Sequence, residues 1–322
     1  MTSVAPQNVI AVVWDFDKTL IPGYMQAPLF KRFGIDGAEF WQEVDAMSDF
    51  YRRAGADLIG PEMLYLDHIL TYVKEGKMAG LSNAVLRELG AEIELYPGMP
   101  QFLNQLAKGI EADPAFADHG IRVEHYVVST GLRQMILGSS IAPEVDGVWG
   151  NEFADAVPLP GYLEHNQDAL FAESPREVTH IIYSIDNTTK TRALFEINKG
   201  SNKHSDVSVN AKVPASHRRV PFNNMIYIAD GPSDVPSFAV VTERGGLAYA
   251  VYAPHSKSEF EQANRLLEQG RVNAFGEANY EEGSQSYMWI LHAAERIAER
   301  IVADRERAIS SSLGEAPTHL DG

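Results

Sequence analysis

Several stretches of the chain share one pattern, an apolar run with β-branched residues that ends in polar side chains. The first run, Val9 to Trp14, is apolar at every position, which indicates a parallel strand covered on both faces. Three later runs look alike: "VEHYVVS" ending at Ser129, "HIIYSI" ending at Ile185 and "NMIYIAD" ending at Asp230. A fourth run, "GGLAYAVYA", follows them. These runs predict the strands of a sheet.

Segments with helical periodicity separate the runs, for example "MPQFLNQLAKGI" from Met99 and "TKTRALFEI" from Thr189. The alternation predicts an α/β fold with a doubly wound, mostly parallel sheet. Ligands bind beyond the carboxyl ends of the strands in such a sheet. Polar residues collect at those ends here: Asp15 and Asp17, Ser129 and Thr130, Asn187 to Lys190, and Asp230 to Asp234.

A long stretch, roughly Pro22 to Tyr96, lies between the first and second strands and is rich in helix formers and spaced aromatic residues. It is too long for a simple crossover connection, so we interpret it as a helical insert. The segment "YPGMP", Tyr96 to Pro100, marks the return to the sheet because proline and glycine interrupt regular structure.

The polar, mildly basic segment from Asn198 to Asn224 has little regular pattern and is predicted to be a loop. The helix that starts near Lys190 runs back from the reactive edge of the sheet, and the strand that ends at Asp230 starts from the far edge. We therefore expect this loop, with Arg218 and Arg219, to lie at the far edge and to serve solubility or subunit contact.

The C-terminal sequence "SYMWILHAAERIAERIV" predicts an amphipathic helix that docks on the sheet. One face of this helix carries Ile290, Ala294, Ile297 and Ile301. The last residues, Ala308 to Gly322, are expected to form a loose tail.

The composition is that of a soluble globular protein, with 45% hydrophobic and 22% charged residues in a chain of 322. Lys and Arg total 27 against 44 Asp and Glu, and the net charge of −17 argues against a general binder of nucleic acid or anionic membranes. Cysteine is absent, which excludes disulfides, a thiolate nucleophile and cysteine metal sites. The N-terminal sequence has no basic region and only a short apolar run, so we expect a cytoplasmic protein.

The sequence "VVWDFDKTLI" places Asp15 and Asp17 at the end of the first apolar run. A carboxylate is costly to bury without a partner, so the pair indicates a cation or a reaction at this strand end. Asp-x-Asp is also a short pattern that arises by chance, and a solvated strand end explains it equally well.

The other polar clusters have structural alternatives as well. Ser129 and Thr130 would serve equally as helix caps, Asp230 and Asp234 as turn residues, and Lys190 as a solvated helix lysine. The order of the four clusters at successive strand ends is much more specific than any one of them.

Together, "DFDKT", "VVSTG", "TTKTRALFEI" and "IADGPSD" resemble the four ordered motifs of the haloacid dehalogenase (HAD) superfamily, in its phosphoserine-phosphatase-like branch. The resemblance covers about Val9 to Ile21 and about Tyr96 to Ala253 and makes no claim for the insert. It implies a Rossmann-like core and a magnesium-dependent phosphatase that hydrolyses a small-molecule phosphomonoester through a phosphoaspartate.

The resemblance implies that Asp15 is the nucleophile and that Asp17 protonates the leaving oxygen and later deprotonates the attacking water. Asp17 favours phosphoester chemistry, since members of the superfamily that act on carbon–halogen bonds or phosphonates lack this second aspartate. Asp230 would complete a Mg²⁺ site with Asp15 and the carbonyl of Asp17, and Asp234 would orient the ligands. Oxygen ligands without nearby Cys or His suit Mg²⁺.

The phosphate-binding residues implied by the resemblance are Ser129, the amides of Thr130 and Gly131, and Lys190. Lys199 also precedes Asp230, and nine residues of one helix would separate it from Lys190 by about 13 Å.

Lys190 is the predicted phosphate ligand because the preceding strand "HIIYSI" delivers the chain to the reactive edge of the sheet. Asn187 or Thr188 would cap the helix there. Lys199 stands next to Gly200, and the two are ordinary signals for the C-terminal end of a helix.

The insert, residues 22–96, lies where the family carries its cap domain, and residues 1–21 and 97–322 would form the catalytic core. Candidate substrate contacts in the cap are Glu39, Arg52, Arg53 and Lys74. The expected partner is a small-molecule phosphate ester rather than nucleic acid or a membrane, while its identity and the oligomeric state stay open. A phosphotransferase and a non-catalytic binding module on the same fold are the alternative functions.

Overall fold

A seven-stranded sheet forms the centre of the molecule, with strand order β4-β3-β2-β1-β5-β6-β7. The computed structural model describes residues 6–158, 160–164 and 176–313. All neighbouring strands are parallel except β3 and β4, so the predicted α/β fold with a mostly parallel sheet is confirmed. The strands are β1 (Val9–Trp14), β2 (Arg122–Leu132), β3 (Gly147–Ala154), β4 (His180–Tyr183), β5 (Met225–Ala229), β6 (Leu247–Tyr252) and β7 (Ala274–Glu277).

Helices cover both faces of the sheet, and several begin or end at residues that satisfy free backbone groups. Asp36 accepts hydrogen bonds from the first amides of α2, and Gly200 ends α8 in the left-handed conformation, with φ of 81°. The helices are α1 (Ala27–Phe33), α2 (Gly37–Arg53), α3 (Pro61–Lys74), α4 (Asn83–Gly90), α5 (Gln101–Ala112), α6 (Pro114–Ala117), α7 (Arg133–Gly138), α8 (Lys190–Lys199), α9 (Val235–Thr242), α10 (Lys257–Glu268) and α11 (Gln285–Leu313).

Strand β1 is buried on both faces, as its unbroken apolar sequence predicts. Ile10, Val12 and Trp14 pack in the core on one face, which also contains residues of α5, α11 and the insert. Val9, Ala11 and Val13 pack on the other face against α8, α9 and α10. Since each large apolar side chain that leaves water contributes about 1.5–3 kcal/mol, these two cores fix the ends of β1 firmly.

The C-terminal helix α11 docks on the first face, which confirms the predicted amphipathic helix. Its predicted apolar face is buried: Ile290, Ala294, Ile297 and Ile301. The expected loose tail from Ala308 is wrong for its first residues, because the helix continues to Leu313. Residues 314–322 lie outside the described residues.

Strands β3 and β7 were not predicted, and the direction predicted for "HIIYSI" was wrong. The sequence of β3, "GVWGNEFA", mixes glycine with polar residues and has no continuous apolar run. Strand β4 is an antiparallel edge strand, with Ile182 64% exposed, so its apolar composition does not reflect burial on two faces. An apolar run alone does not distinguish these cases.

The segment from Asn198 to Asn224 lies at the amino-terminal edge of the sheet, as predicted. The side-chain amide of Gln7, just before β1, donates to the carbonyl of Ala215 at 2.7 Å. Arg219 donates to Glu124 in the first half of β2, with Nη1 at 2.7 Å from Oε2. Within the described part of the chain, no helix is long and apolar enough to cross a membrane.

Candidate active site

Three neighbouring strands, β2, β1 and β5, bring their carboxyl ends together at one edge of the sheet. Asp15 directly follows β1 and donates its amide to Ile228 of β5 at 2.9 Å. Asp230 follows β5, and Ser129 lies two residues beyond Val127, the partner of Trp14 in the register of β1 with β2. The fold therefore collects polar residues from distant parts of the sequence.

The centre of this site is a buried ion-paired group. The Nζ atom of Lys190 lies 2.7 Å from Oδ1 of Asp15 and 2.7 Å from Oδ1 of Asp234. Lys190 is 1% exposed although it is charged, because the first residue of α8 points at the strand ends. Burial alone would lower the pKa of Lys190, but Asp15 and Asp234 outweigh it and hold that pKa well above its usual value.

Burial raises the pKa of Asp15 to about 6, and Asp234 adds to the rise while Lys190 opposes it. The second oxygen of Asp15, Oδ2, accepts a hydrogen bond from the hydroxyl of Thr19 at 3.3 Å. Asp15 therefore remains mainly ionised at neutral pH and is held at both oxygens.

Asp234 is fixed by donors on both of its oxygens. Tyr227 donates to Oδ1 at 2.6 Å, in addition to Lys190, and Ser233 donates to Oδ2 at 2.8 Å. With its oxygens so engaged, Asp234 is suited to orient the Lys190 ammonium.

The candidate cation site lies among carboxylate oxygens of Asp15, Asp230 and Asp234, which are all within 4.8 Å of one another. Burial, followed by the charges of Asp15 and Asp234, raises the pKa of Asp230 well above its usual range. One lysine does not compensate the three carboxylates, and hard oxygen donors with excess negative charge fit Mg²⁺. The carboxylate of Asp17 is not among them. The resemblance implies that Asp17 binds the cation through its main-chain carbonyl, and this remains a prediction.

Asp17 lies beside this group on the chain segment that leads into the insert. Its Oδ1 atom accepts a hydrogen bond from the amide of Met25 at 2.8 Å. Burial, with the nearby charge of Asp15, raises the pKa of Asp17 to about 7. A carboxyl group with such a pKa can both give and take a proton near neutral pH.

The predicted phosphate-binding segment, Ser129 to Gly131, lies in the last part of β2 and has its own internal hydrogen bond. The hydroxyl oxygen of Ser129 accepts from the amide of Gly131 at 2.9 Å, and the amide of Leu132 donates to the sulfur of Met25 at 3.0 Å. Helix α7 begins after Leu132 without a side-chain cap, so the alternative that Ser129 or Thr130 caps it is wrong. The Gly131 amide orients Ser129 rather than pointing freely into the site.

The predicted cap of α8 by Asn187 or Thr188 is wrong, because the helix starts after Thr189 with no side-chain cap. In the turn before the helix, Asp186 accepts from the amides of Thr188 at 2.8 Å and Thr189 at 2.6 Å. The predicted reason for the position of α8 was also wrong, because β4 runs antiparallel to its neighbour. The loop after β4 nevertheless places the start of α8 at the site.

Lys199 lies at the opposite end of α8, as predicted. Its Nζ atom donates to the main-chain carbonyls of Val209 and Ala211, the latter at 2.8 Å. These bonds hold the far-edge loop, so Lys199 has a structural partner away from the ion-paired group.

The candidate substrate contacts of the insert are all exposed side chains, and their role stays a prediction: Glu39, Arg52, Arg53 and Lys74. Tyr65 of α3, in the insert, contacts the predicted phosphate-binding segment, and its hydroxyl donates to the carbonyl of Thr130 at 2.6 Å. Tyr65 stands in a stripe of aromatic residues typical of a helix core, and its partner Asn151 lies in the unpredicted strand β3. No signal in the sequence singles out either residue.

A comparison with protein-family models gives no match. An uncharacterised protein of Borreliella burgdorferi is 39% identical over 288 residues, which cover 88% of this chain and 96% of that protein. The chain belongs to the same protein family as this relative.

Two solved structures are similar to this chain at low sequence identity. One is a probable phosphoserine phosphatase from Vibrio cholerae, with 12% identity, a TM-score of 0.48, and coverage of 92% of this chain and 68% of that one. The other is a HAD-family hydrolase from Salmonella enterica serovar Typhi, with 15% identity, a TM-score of 0.46, and coverage of 84% of this chain and 67% of that one.

Proposed function

We propose that this member of the family of the Borreliella burgdorferi protein is a magnesium-dependent phosphatase that hydrolyses a small-molecule phosphomonoester through a phosphoaspartate on Asp15. The observation that carries the proposal is the buried bridge from Lys190 to Asp15 and Asp234 at 2.7 Å, beside the carboxylate of Asp230. Such a group is costly to bury and matches the charge pattern of a phosphoryl-transfer site.

Asp15 is suited to act as the nucleophile because it is ionised and held at both oxygens. One oxygen of Asp15 attacks phosphorus, and the bond from phosphorus to the ester oxygen breaks. Asp17 gives its proton to the departing oxygen, which leaves as an alcohol. The phosphoryl group is then bound to Asp15.

The second step reverses the role of Asp17. Asp17 takes a proton from a water molecule as the water oxygen attacks phosphorus, the bond to Asp15 breaks, and inorganic phosphate leaves. Lys190 and Ser129 balance negative charge on the phosphoryl oxygens during both steps.

Asp15 and Asp230, with the main-chain carbonyl of Asp17, would hold Mg²⁺, and Asp234 would orient them. The ion would supply positive charge that stabilises the phosphoryl oxygens in the transition state.

A phosphate-release screen tests the proposal. The purified protein is incubated with Mg²⁺ and with sugar, nucleotide, cofactor and amino-acid phosphates, including phosphoserine, and with an aryl phosphate. We expect turnover of at least one ester that a chelator abolishes. Asp15→Asn should lose that turnover with the fold intact, because an amide does not attack phosphorus. No release from any ester, or an equal rate in Asp15→Asn, contradicts the proposal.

A further inference from the structure

The insert makes a buried polar contact with the segment that follows Ser129. The hydroxyl of Tyr65 donates to the carbonyl of Thr130 at 2.6 Å, and the Tyr65 ring packs against Trp41 of α2 at 5.7 Å between ring centroids. Tyr65 is 7% exposed. A hydrogen bond in such a dry environment is directional and costly to leave unmade.

Asn151 of β3 completes the contact from the sheet side. Its Nδ2 atom donates to the hydroxyl oxygen of Tyr65 at 3.0 Å and also to the carbonyl of Thr130. Its Oδ1 atom accepts from the amide of Ile185 at 2.8 Å, on the loop that leads to α8. Asn151 is 2% exposed, and its bonds join the insert, β2 and the segment before Lys190.

The two hydrogen bonds that the Thr130 carbonyl accepts, from Tyr65 and Asn151, determine the direction of the Gly131 amide. In a planar trans peptide, the carbonyl of Thr130 and the amide of Gly131 point in opposite directions. With the carbonyl held toward Tyr65 and Asn151, the Gly131 amide points away from them, and it donates to the oxygen of Ser129 at 2.9 Å.

This bond in turn orients the hydroxyl of Ser129. Because the oxygen of Ser129 accepts from Gly131, its own proton is directed elsewhere, and the structure gives it no acceptor among the described residues. Ser129 is 1% exposed and lies at the same edge of the sheet as Asp15, so this proton is available for a phosphoryl oxygen.

We propose that Tyr65, together with Asn151, is a positioning residue that fixes the Thr130–Gly131 peptide and thereby aims the Ser129 hydroxyl at the phosphoryl group. This inference rests on the proposed phosphatase function. It assigns to the insert a role in phosphate binding in addition to covering the site.

The test compares Tyr65→Phe with Tyr72→Phe. Tyr72 lies two turns further along α3, and its hydroxyl donates to Glu43 at 2.6 Å within the insert. Each variant loses one hydroxyl and keeps its ring, so both retain the packing of the helix. The measurements are the affinity for inorganic phosphate, by calorimetry in the presence of Mg²⁺, and kcat and KM for the ester found in the screen.

We expect Tyr65→Phe to bind phosphate about five- to tenfold more weakly, the equivalent of one hydrogen bond, and to lower kcat/KM at least as much. Tyr72→Phe should match the parent protein in both, and thermal unfolding should show that both variants are folded. Equal phosphate affinity in Tyr65→Phe and Tyr72→Phe would overturn the positioning role while leaving the phosphatase proposal intact. Absence of both turnover and phosphate binding in the parent protein would overturn both.

Discussion

Lys190 is the residue on which the site depends most, because its ammonium group is the only cation in contact with Asp15 and Asp234 among the described residues. An ammonium group that is 1% exposed is stable only with charged partners. Lys190 offsets part of the negative charge of Asp15 and Asp234, and in the proposed mechanism it also offsets the charge of a phosphoryl group.

Lys190 and Lys199 allow a matched comparison, since they begin and end one helix. We expect Lys190→Ala to lower kcat/KM by several orders of magnitude and Lys199→Ala to change it little, because Lys199 donates to main-chain carbonyls of the loop from Asn198 to Asn224, at the far edge of the sheet. Steady-state kinetics of both variants, with circular dichroism to verify folding, tests this. The reverse ranking would contradict the assignment of Lys190.

Asp17 should be most important when the leaving group needs a proton. We expect Asp17→Asn to lower kcat strongly with an alkyl phosphate and less with an aryl phosphate, whose leaving oxygen is stable as an anion. The ratio of the two rates in variant and parent is the measurement. Equal losses on both esters would count against a general-acid role.

Single residues differed in how far the sequence could predict them. Lys190 was predictable because it belongs to one of four ordered polar clusters and begins a helical pattern, although the strand direction used to place it was wrong. Tyr65 was not, because its role comes from a hydrogen bond to Thr130 across 65 positions of sequence. A tyrosine in an aromatic helix face is ordinarily a core residue, and only the tertiary structure gives its hydroxyl a partner.

Among the helices and strands, the sequence predicts those in which the pattern of hydrophobic residues matches the burial of their side chains. Strand β1 and helix α11 are such elements, since their apolar residues face a core. Strand β4 has an apolar sequence but lies at an edge of the sheet. Strand β3 has a neighbour on each side but contains glycine and polar residues. The direction of β4 and the formation of β3 depend on pairing with strands that are distant in the sequence, and local periodicity carries no information about that pairing.

Helix α11 provides a test of docking at this scale. Ile297 is 5% exposed on its inner face, whereas Met288 on the same helix is 54% exposed. We expect Ile297→Ala to lower the free energy of unfolding by about 2–4 kcal/mol and Met288→Ala by less than about 0.5 kcal/mol. Chemical denaturation of the two variants measures the difference, and similar losses would contradict the docked face.

In the whole molecule, the insert and the sheet share one continuous apolar core. Phe40, Leu66 and Tyr72 of the insert belong to the same cluster of buried residues as Ile10 and Trp14 of β1. The helices of residues 22–96 therefore do not pack only among themselves, and a cap domain over this stretch stays a prediction. The polar bridge from Tyr65 to Thr130 adds a directional contact to this apolar one.

The raised pKa of Asp230 means that folding disfavours its ionised form, because burial and the charges of Asp15 and Asp234 act against it. We therefore expect Asp230→Asn, which places an uncharged amide there, to raise the melting temperature by a few degrees without Mg²⁺. Added Mg²⁺ should raise the melting temperature of the parent protein more than that of the variant. A lower melting temperature in metal-free Asp230→Asn would contradict this expectation.

We expect the excess of carboxylates over lysine at this edge to make folding itself responsive to the supply of divalent cations. An ion that binds the folded chain and not the unfolded one stabilises it in proportion to the logarithm of its concentration above the dissociation constant. The carboxylates of Asp15 and Asp230 exist as a close pair only in the folded chain, because their strands are joined by the sheet and not by sequence. We therefore expect the metal-free protein to survive for a shorter time in the presence of a protease than the metal-loaded protein, so that ion depletion would lower the amount of the protein as well as its proposed activity.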